Sequence, residues 1–199
     1  MSVGDIRPIK ATLREQYKTL RREMPPEIKA QRDRQIAGRV AALWQYKRCR
    51  QLLTYVSTPI EVDTLEIIRR ALADGKRVAV PRCVPGTRDM EFYWINGVEE
   101  LEPGTFGVLE PRPDPKRKVT DFSNGLCLVP ALCYDWRGYR LGYGKGYYDR
   151  FLPQAENALL MGIAYDAFIQ PNLPRDKFDV LVQLLASESG ITTLSPLSL

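Results

Sequence analysis

Gln51 to Pro81 reads QLLTYVSTPIEVDTLEIIRRALADGKRVAVP, and its parts decide the fold. Gln51 to Ser57 is short, apolar and partly β-branched, which suits a strand, and Arg77 to Pro81 (RVAVP) is a second strand. Between them, Asp63-Thr64-Leu65-Glu66 offers a helix cap with an acid three residues on. The helix so opened is predicted over 64 to 74, stopping at Gly75. A strand, a helix and a strand in this order imply parallel pairing with a right-handed crossover.

A second unit follows downstream. Leu126 to Val129 (LCLV) is a strand of the fully buried type, and Leu159 to Tyr165 (LLMGIAY) is another, with a glycine-rich loop and a short helix near 146 to 152 between them. Met90 to Ile95 (MEFYWI) suits a further strand, and Val180 to Ala186 suits either a strand or a short helix. Upstream, Leu13, Tyr17, Leu20 and Met24 recur at helical spacing and predict a helix over 5 to 24. Lys10, Arg14, Lys18 and Arg21 fall on one stripe about 90° from that apolar face. Pro25-Pro26 separates a second helix, running to about 46, in which Ile36, Val40 and Leu43 repeat the pattern. Glu102 to Lys118, rich in Pro, Gly and charge, reads as a loop. The expectation is a single three-layer α/β domain over 1–199, with a mostly parallel sheet and helices on both faces. It comprises two amino-terminal helices (5–46), an α/β core (51–186) and a frayed end (187–199).

The chain of 199 residues carries 29 Lys and Arg against 24 Asp and Glu, a formal charge of +5, and no histidine. Histidine-based triads, histidine-bound zinc and a histidine general base are therefore excluded. Acid, base or metal work must fall to carboxylates, Lys, Arg, Tyr or Cys. Asp5, Arg7, Lys10 and Arg14 interrupt any signal-peptide run, and no stretch approaches the ~20 apolar residues of a membrane span. A cytoplasmic protein is expected. Cys49, Cys83, Cys127 and Cys133 lack C-x-x-C spacing and read as buried small hydrophobes. The short clusters Arg21-Arg22 and Lys116-Arg117-Lys118 read as solvated surface.

Chemistry concentrates in Arg140-Leu141-Gly142-Tyr143-Gly144-Lys145-Gly146-Tyr147-Tyr148-Asp149. Three alternating glycines let the backbone turn sharply and expose successive N–H groups, while Arg140 and Lys145 add charge, making an anion cradle at a helix start. Phosphate is the natural guest. The stretch is not a Walker loop, because Gly146 follows Lys145, and it is not G-x-G-x-x-G. For the glycines alone, a tight turn with basic surface residues is the plain alternative.

These residues resemble one family, the 5-formyltetrahydrofolate cyclo-ligases. LVPALCYDWRGYRLGYGKGYYDRFL (Leu128 to Leu152) is similar to the family's signature. Lys10-Ala11-Thr12-Leu13-Arg14 resembles its K-x-x-L-R, Tyr55 to Thr64 its S-x-x-x-E-[VI]-x-T element, and Phe106 to Pro111 (FGVLEP) its G-I-x-E-P element. The resemblance implies that ATP phosphates are held by Lys10, Arg14 and the loop from Arg140 through Leu141, Gly142, Tyr143, Gly144, Lys145, Gly146 and Tyr147 to Tyr148. It also implies that a reduced folate lies against Val56, Glu61 and Tyr143 to Tyr147, and that Asp149 and Asp179 hold Mg²⁺. Read from its residues alone, Glu61 is an exposed loop acid. The family's pattern departs at Phe178 and Gln183, which leaves Asp176 as the rival to Asp179.

The implied reaction is ATP-dependent closure of 5-formyltetrahydrofolate to 5,10-methenyltetrahydrofolate, with Arg140 and Lys145 neutralising the transferring phosphoryl group. A monomer acting on small molecules, with no nucleic-acid or membrane partner, is expected. The alternative from another class is a single-stranded nucleic-acid-binding module using the basic, tyrosine-rich surface.

Overall fold

Alternation along the strands builds two buried layers. Leu126 and Leu128 pack with Leu52, Val78 and Val80, whereas Cys127 and Val129 pack with Leu53 and Ala79. Successive side chains of a strand point to opposite faces, so these are the two faces of one sheet. Burial on both faces is why the strands read as near-continuous apolar runs.

The computed structural model describes residues 5–176 and 179–194. In chain order the elements are α1 (Arg7–Arg22), α2 (Pro26–Ala42), α3 (Trp44–Arg48), β1 (Gln51–Thr54), α4 (Leu65–Ala73), β2 (Arg77–Cys83) and β3 (Met90–Ile95). After them come β4 (Glu102–Pro103), β5 (Leu109–Glu110), β6 (Gly125–Val129), β7 (Cys133–Asp135), β8 (Arg140–Leu141) and α5 (Tyr147–Phe151). The chain continues through β9 (Leu159–Ile163), β10 (Ile169–Gln170), β11 (Leu184–Ala186) and β12 (Ile191–Thr193). The main sheet has the order β12-β11-β9-β6-β1-β2-β3. Its pairs from β11 to β2 are parallel, and the edge strands β12 and β3 are antiparallel. Both β-α-β units are thus present. α1, α2 and α4 cover one face through Tyr17, Ile36, Val40, Ile67 and Ile68, while Phe151, Leu152 and Ala155 cover the other.

Several boundaries differ from expectation. The second helix breaks at Leu43, whose extended backbone separates α2 from α3. β1 ends at Thr54 because the Thr64 hydroxyl donates to the Tyr55 carbonyl at 2.7 Å and gathers residues 55–64 into a loop. That hydroxyl therefore does not cap α4. Instead the Asp63 Oδ1 accepts the Leu65 N–H at 2.8 Å. Within the 102–118 loop, β4 and β5 form a small antiparallel ribbon. The segment expected to fray from Ser187 pairs with β11 through β12, and residues 195–199 lie outside the described residues. Cys127 and Cys133 are buried as expected, but Cys49 and Cys83 are partly exposed. A three-stranded sheet of β10, β7 and β8 has no counterpart among the expected strands, and it delivers the glycine loop.

Candidate functional site

β1 and β6 are parallel neighbours, but the chain leaves β1 toward β2 on one side and β6 toward β9 on the other. Such a switch point opens a crevice beyond the strands' carboxyl ends, where open α/β sheets bind ligands. Residues 55–64 follow β1 at this end, and residues 130–132 follow β6.

The glycine loop leaves β8 beside the crevice. Gly144 and Gly146 have φ of +86° and +79°, a region in which side chains are strained. α1 docks against this turn: the Arg14 Nε donates to the Gly142 carbonyl at 2.9 Å, and a Cβ at Gly144 would lie 3.1 Å from the guanidinium. Arg140, buried, donates to the Val180 carbonyl at 2.8 Å and pairs with the Asp149 carboxylate. The Lys10 Nζ lies 2.8 Å from the Asp179 Oδ2, which also accepts the Asp176 N–H at 2.7 Å. Lys10, Arg14, Arg140, Asp149 and Asp179 all line one cavity of about 130 Å³ with Leu141, Gly142, Gly144 and Gly146. α5 has only five residues, so side-chain cations rather than a long helix dipole make the cavity positive.

Beside it lies a second group of residues. Glu61 is 6% exposed, not the exposed acid its local sequence suggests, and its Oε2 accepts the Thr58 N–H at 2.8 Å and hydroxyl at 2.9 Å. The hydroxyls of Tyr143 and Tyr148 are both buried and unbonded. Burial first, and the Glu61 charge with it, push the Tyr143 hydroxyl pKa up. Burial, then the nearby Cys127 thiol and the Glu61 charge, do the same to Tyr148. Val56 packs in the core beneath. Tyr147 sits nearer the rim: its hydroxyl donates to the Thr87 carbonyl at 3.4 Å, and its ring meets Phe106 edge-on at 6.1 Å. The Lys145 Nζ lies 5.2 Å from the Phe106 ring centroid. Lys145 therefore stands at this rim and not among the cations of the neighbouring cavity.

The structure thus brings Lys10, Arg14, Arg140, Asp149 and Asp179 together, and separately Glu61, Tyr143 and Tyr148. Phe178 lies outside the described residues, while Gln183 turns its Oε1 to the Leu160 N–H at 2.8 Å, bonding β9. Sequence reasoning missed Phe106, which it quoted within a motif but gave no role. It misplaced Arg21, which is 3% exposed rather than solvated. The signal for Arg21 lay in its place on the same stripe as Lys10 and Arg14. With the Tyr143 and Tyr148 hydroxyls buried, the loop does not present all its tyrosines for base stacking.

A switch-point crevice beside a cation-lined glycine loop is an arrangement in which open α/β sheets accommodate anionic ligands. The chain belongs to the 5-formyltetrahydrofolate cyclo-ligase family, whose model matches residues 7–187. A Schizosaccharomyces pombe protein named "Probable 5-formyltetrahydrofolate cyclo-ligase" is 32% identical over 166 residues, covering 74% of this chain and 81% of its own. The mouse 5-formyltetrahydrofolate cyclo-ligase is 28% identical over 200 residues, covering 96% and 98%. The NMR structure of Aquifex aeolicus 5,10-methenyltetrahydrofolate synthetase superposes with a TM-score of 0.82 at 27% identity, covering 96% of each chain.

Proposed function

We propose that this chain closes 5-formyltetrahydrofolate to 5,10-methenyltetrahydrofolate at the expense of ATP. The observation that carries this reading is convergence: cations from α1 and from β8, far apart in sequence, line one cavity next to a buried carboxylate and two unbonded tyrosine hydroxyls. Family membership and the names of the relatives support it.

The chemistry requires both halves. A formamide oxygen is a poor leaving group, because the formyl carbon shares the ring nitrogen's lone pair. Attack of that oxygen on the γ-phosphorus of ATP releases ADP and leaves an imidate-like phosphate. The neighbouring anilino nitrogen adds to the activated carbon and loses its proton. Phosphate then departs with the former formyl oxygen, leaving a conjugated five-membered amidinium.

Positioning and charge stabilisation dominate phosphoryl transfer. Lys10, Arg14 and Arg140 bind the polyphosphate, and Lys145, at the rim beside Phe106, neutralises the group in transit. Glu61, Tyr143 and Tyr148 offer an acceptor and two hydroxyls to the pterin's polar edge, while Tyr147 and Phe106 present aromatic surface. Asp149 and Asp179 are hard oxygen donors lining the phosphate cavity, a set that fits Mg²⁺ completed by phosphate and water. Each is now held by a cation, Arg140 or Lys10, and a polyphosphate that recruits those cations frees both carboxylates. Bound there, Mg²⁺ supplies charge neutralisation to the phosphates. Among the described residues no helix is long and apolar enough to cross a membrane.

The test mixes protein, 5-formyltetrahydrofolate, ATP and Mg²⁺ in slightly acidic buffer and follows the near-ultraviolet absorbance of the methenyl product. A rise that needs every component is expected, and no ATP-dependent rise refutes the reading. Lys145→Ala should lower kcat about 10²–10³-fold, the usual loss for one oxyanion-stabilising group, with little change in melting temperature. Near-normal turnover would remove Lys145 from the reaction.

A further inference from the structure

Arg21 is a buried cation with an unusual set of partners. Its Nε donates to the Leu132 carbonyl at 3.0 Å, its Nη1 to Ile60 at 3.0 Å and its Nη2 to Ala131 at 2.9 Å. All three acceptors are backbone carbonyls rather than carboxylates. The guanidinium stands 4.7 Å from the Phe168 ring centroid and 5.8 Å from that of Tyr165. Burying a charge without an opposite partner is costly, and it persists where the donors are matched in a fixed geometry.

The acceptors lie on both sides of the switch point. Ile60 belongs to the loop after β1, and Ala131 and Leu132 follow β6. Each leads directly to the group of Glu61, Tyr143 and Tyr148. Ile60 precedes Glu61, whose own carbonyl lies 3.3 Å from the Tyr165 hydroxyl. Leu132 donates its N–H to the Leu141 carbonyl at 2.8 Å, and Leu141 is two residues before Tyr143. One guanidinium fork therefore spans the route from the carboxylate to the tyrosine. Its charge also acts on this group, since it opposes Glu61 in acting on the Tyr143 hydroxyl.

We propose that Arg21 is a positioning residue for the folate half of the reaction, stapling the loops after β1 and β6 so that Glu61 and Tyr143 keep one separation. It touches neither substrate. The cations of the phosphate cavity are held separately, Lys10 by Asp179, Arg14 by the Gly142 carbonyl and Arg140 by the Val180 carbonyl and Asp149, and none of these is an acceptor of Arg21. The inference rests on the cyclo-ligase reading, and wild-type turnover keeps the two apart: an inactive wild type refutes that reading, whereas an active one lets the variants judge Arg21.

Two variants make the test. Arg21→Lys keeps the charge but loses the planar fork. Arg21→Gln removes the buried charge and keeps two N–H donors for the three carbonyls. Both should raise KM for 5-formyltetrahydrofolate about tenfold or more, while KM for ATP stays within about twofold, the mark of lost binding confined to one substrate. Equal movement of both constants, normal constants, or unfolding of both variants assigns Arg21 a structural role alone and overturns the proposal.

Discussion

The Tyr148 hydroxyl is buried and unbonded. An unsatisfied buried polar group costs about 1–3 kcal/mol, so it weakens the unliganded protein unless a ligand completes it. Tyr148→Phe is therefore expected to leave the melting temperature unchanged or raise it, while KM for the folate rises several-fold. A lower melting temperature with unaltered KM would show that the hydroxyl serves the fold. Lys10, Arg14 and Arg140 were legible because a helical stripe and a glycine loop announce them, and the structure sets them around one cavity. Glu61 and Arg21 were not legible from local sequence. Each is polar in a stretch that reads as surface, and each is buried by contacts distant along the chain, such as the 111-residue separation between Arg21 and Leu132.

At the scale of elements, the glycine loop and α1 work as one device. Gly144 combines a positive φ with the close approach of Arg14. Gly144→Ala should cost about 1–2 kcal/mol from the left-handed backbone alone. By pushing on Arg14 it should also weaken ATP binding about tenfold more than folate binding, as read by calorimetric titration of each ligand; each tenfold corresponds to 1.4 kcal/mol. Equal or absent losses would separate the loop from the nucleotide. The longer strands were readable from apolar runs, and the two crossovers followed from their order. β7, β8 and β10 were not, since strands of two or three residues offer no window over which periodicity can be seen. Their formation depends on the hairpin at Cys133 to Leu141 packing beside the main sheet.

Across the whole molecule, the absence of histidine removes the side chain that ordinarily titrates near neutrality. Titration moves instead to alkaline pH. Burial pushes the Cys127 thiol up to about 12, and pushes Cys133 and Cys83 up to about 11, with Glu110 adding to Cys83. Unfolded thiols titrate near about 8.5, so above that pH the unfolded chain releases protons that the folded chain retains. Stability is thus fully present below about pH 8.5 and lost as pH rises toward the folded values. Scanning calorimetry should find a nearly level melting temperature through neutral pH and a steady fall above about pH 9; a level profile to about pH 11 would contradict thiols that the fold keeps protonated. The +5 charge was legible as a total, but its meaning was not. Three of the cations converge on one cavity, one is buried beneath the crevice, and others form surface pairs such as Lys118 with Glu91.

On the proposed route the formyl oxygen is carried away in the released phosphate. Substrate labelled with oxygen-18 in its formyl group tests it in one measurement, mass analysis of the inorganic phosphate after complete turnover with ATP. One labelled oxygen in each phosphate released is the expected result. Methenyl product formed with unlabelled phosphate and labelled water would contradict the phosphoryl-transfer route and the assignment of the cation-lined cavity to it.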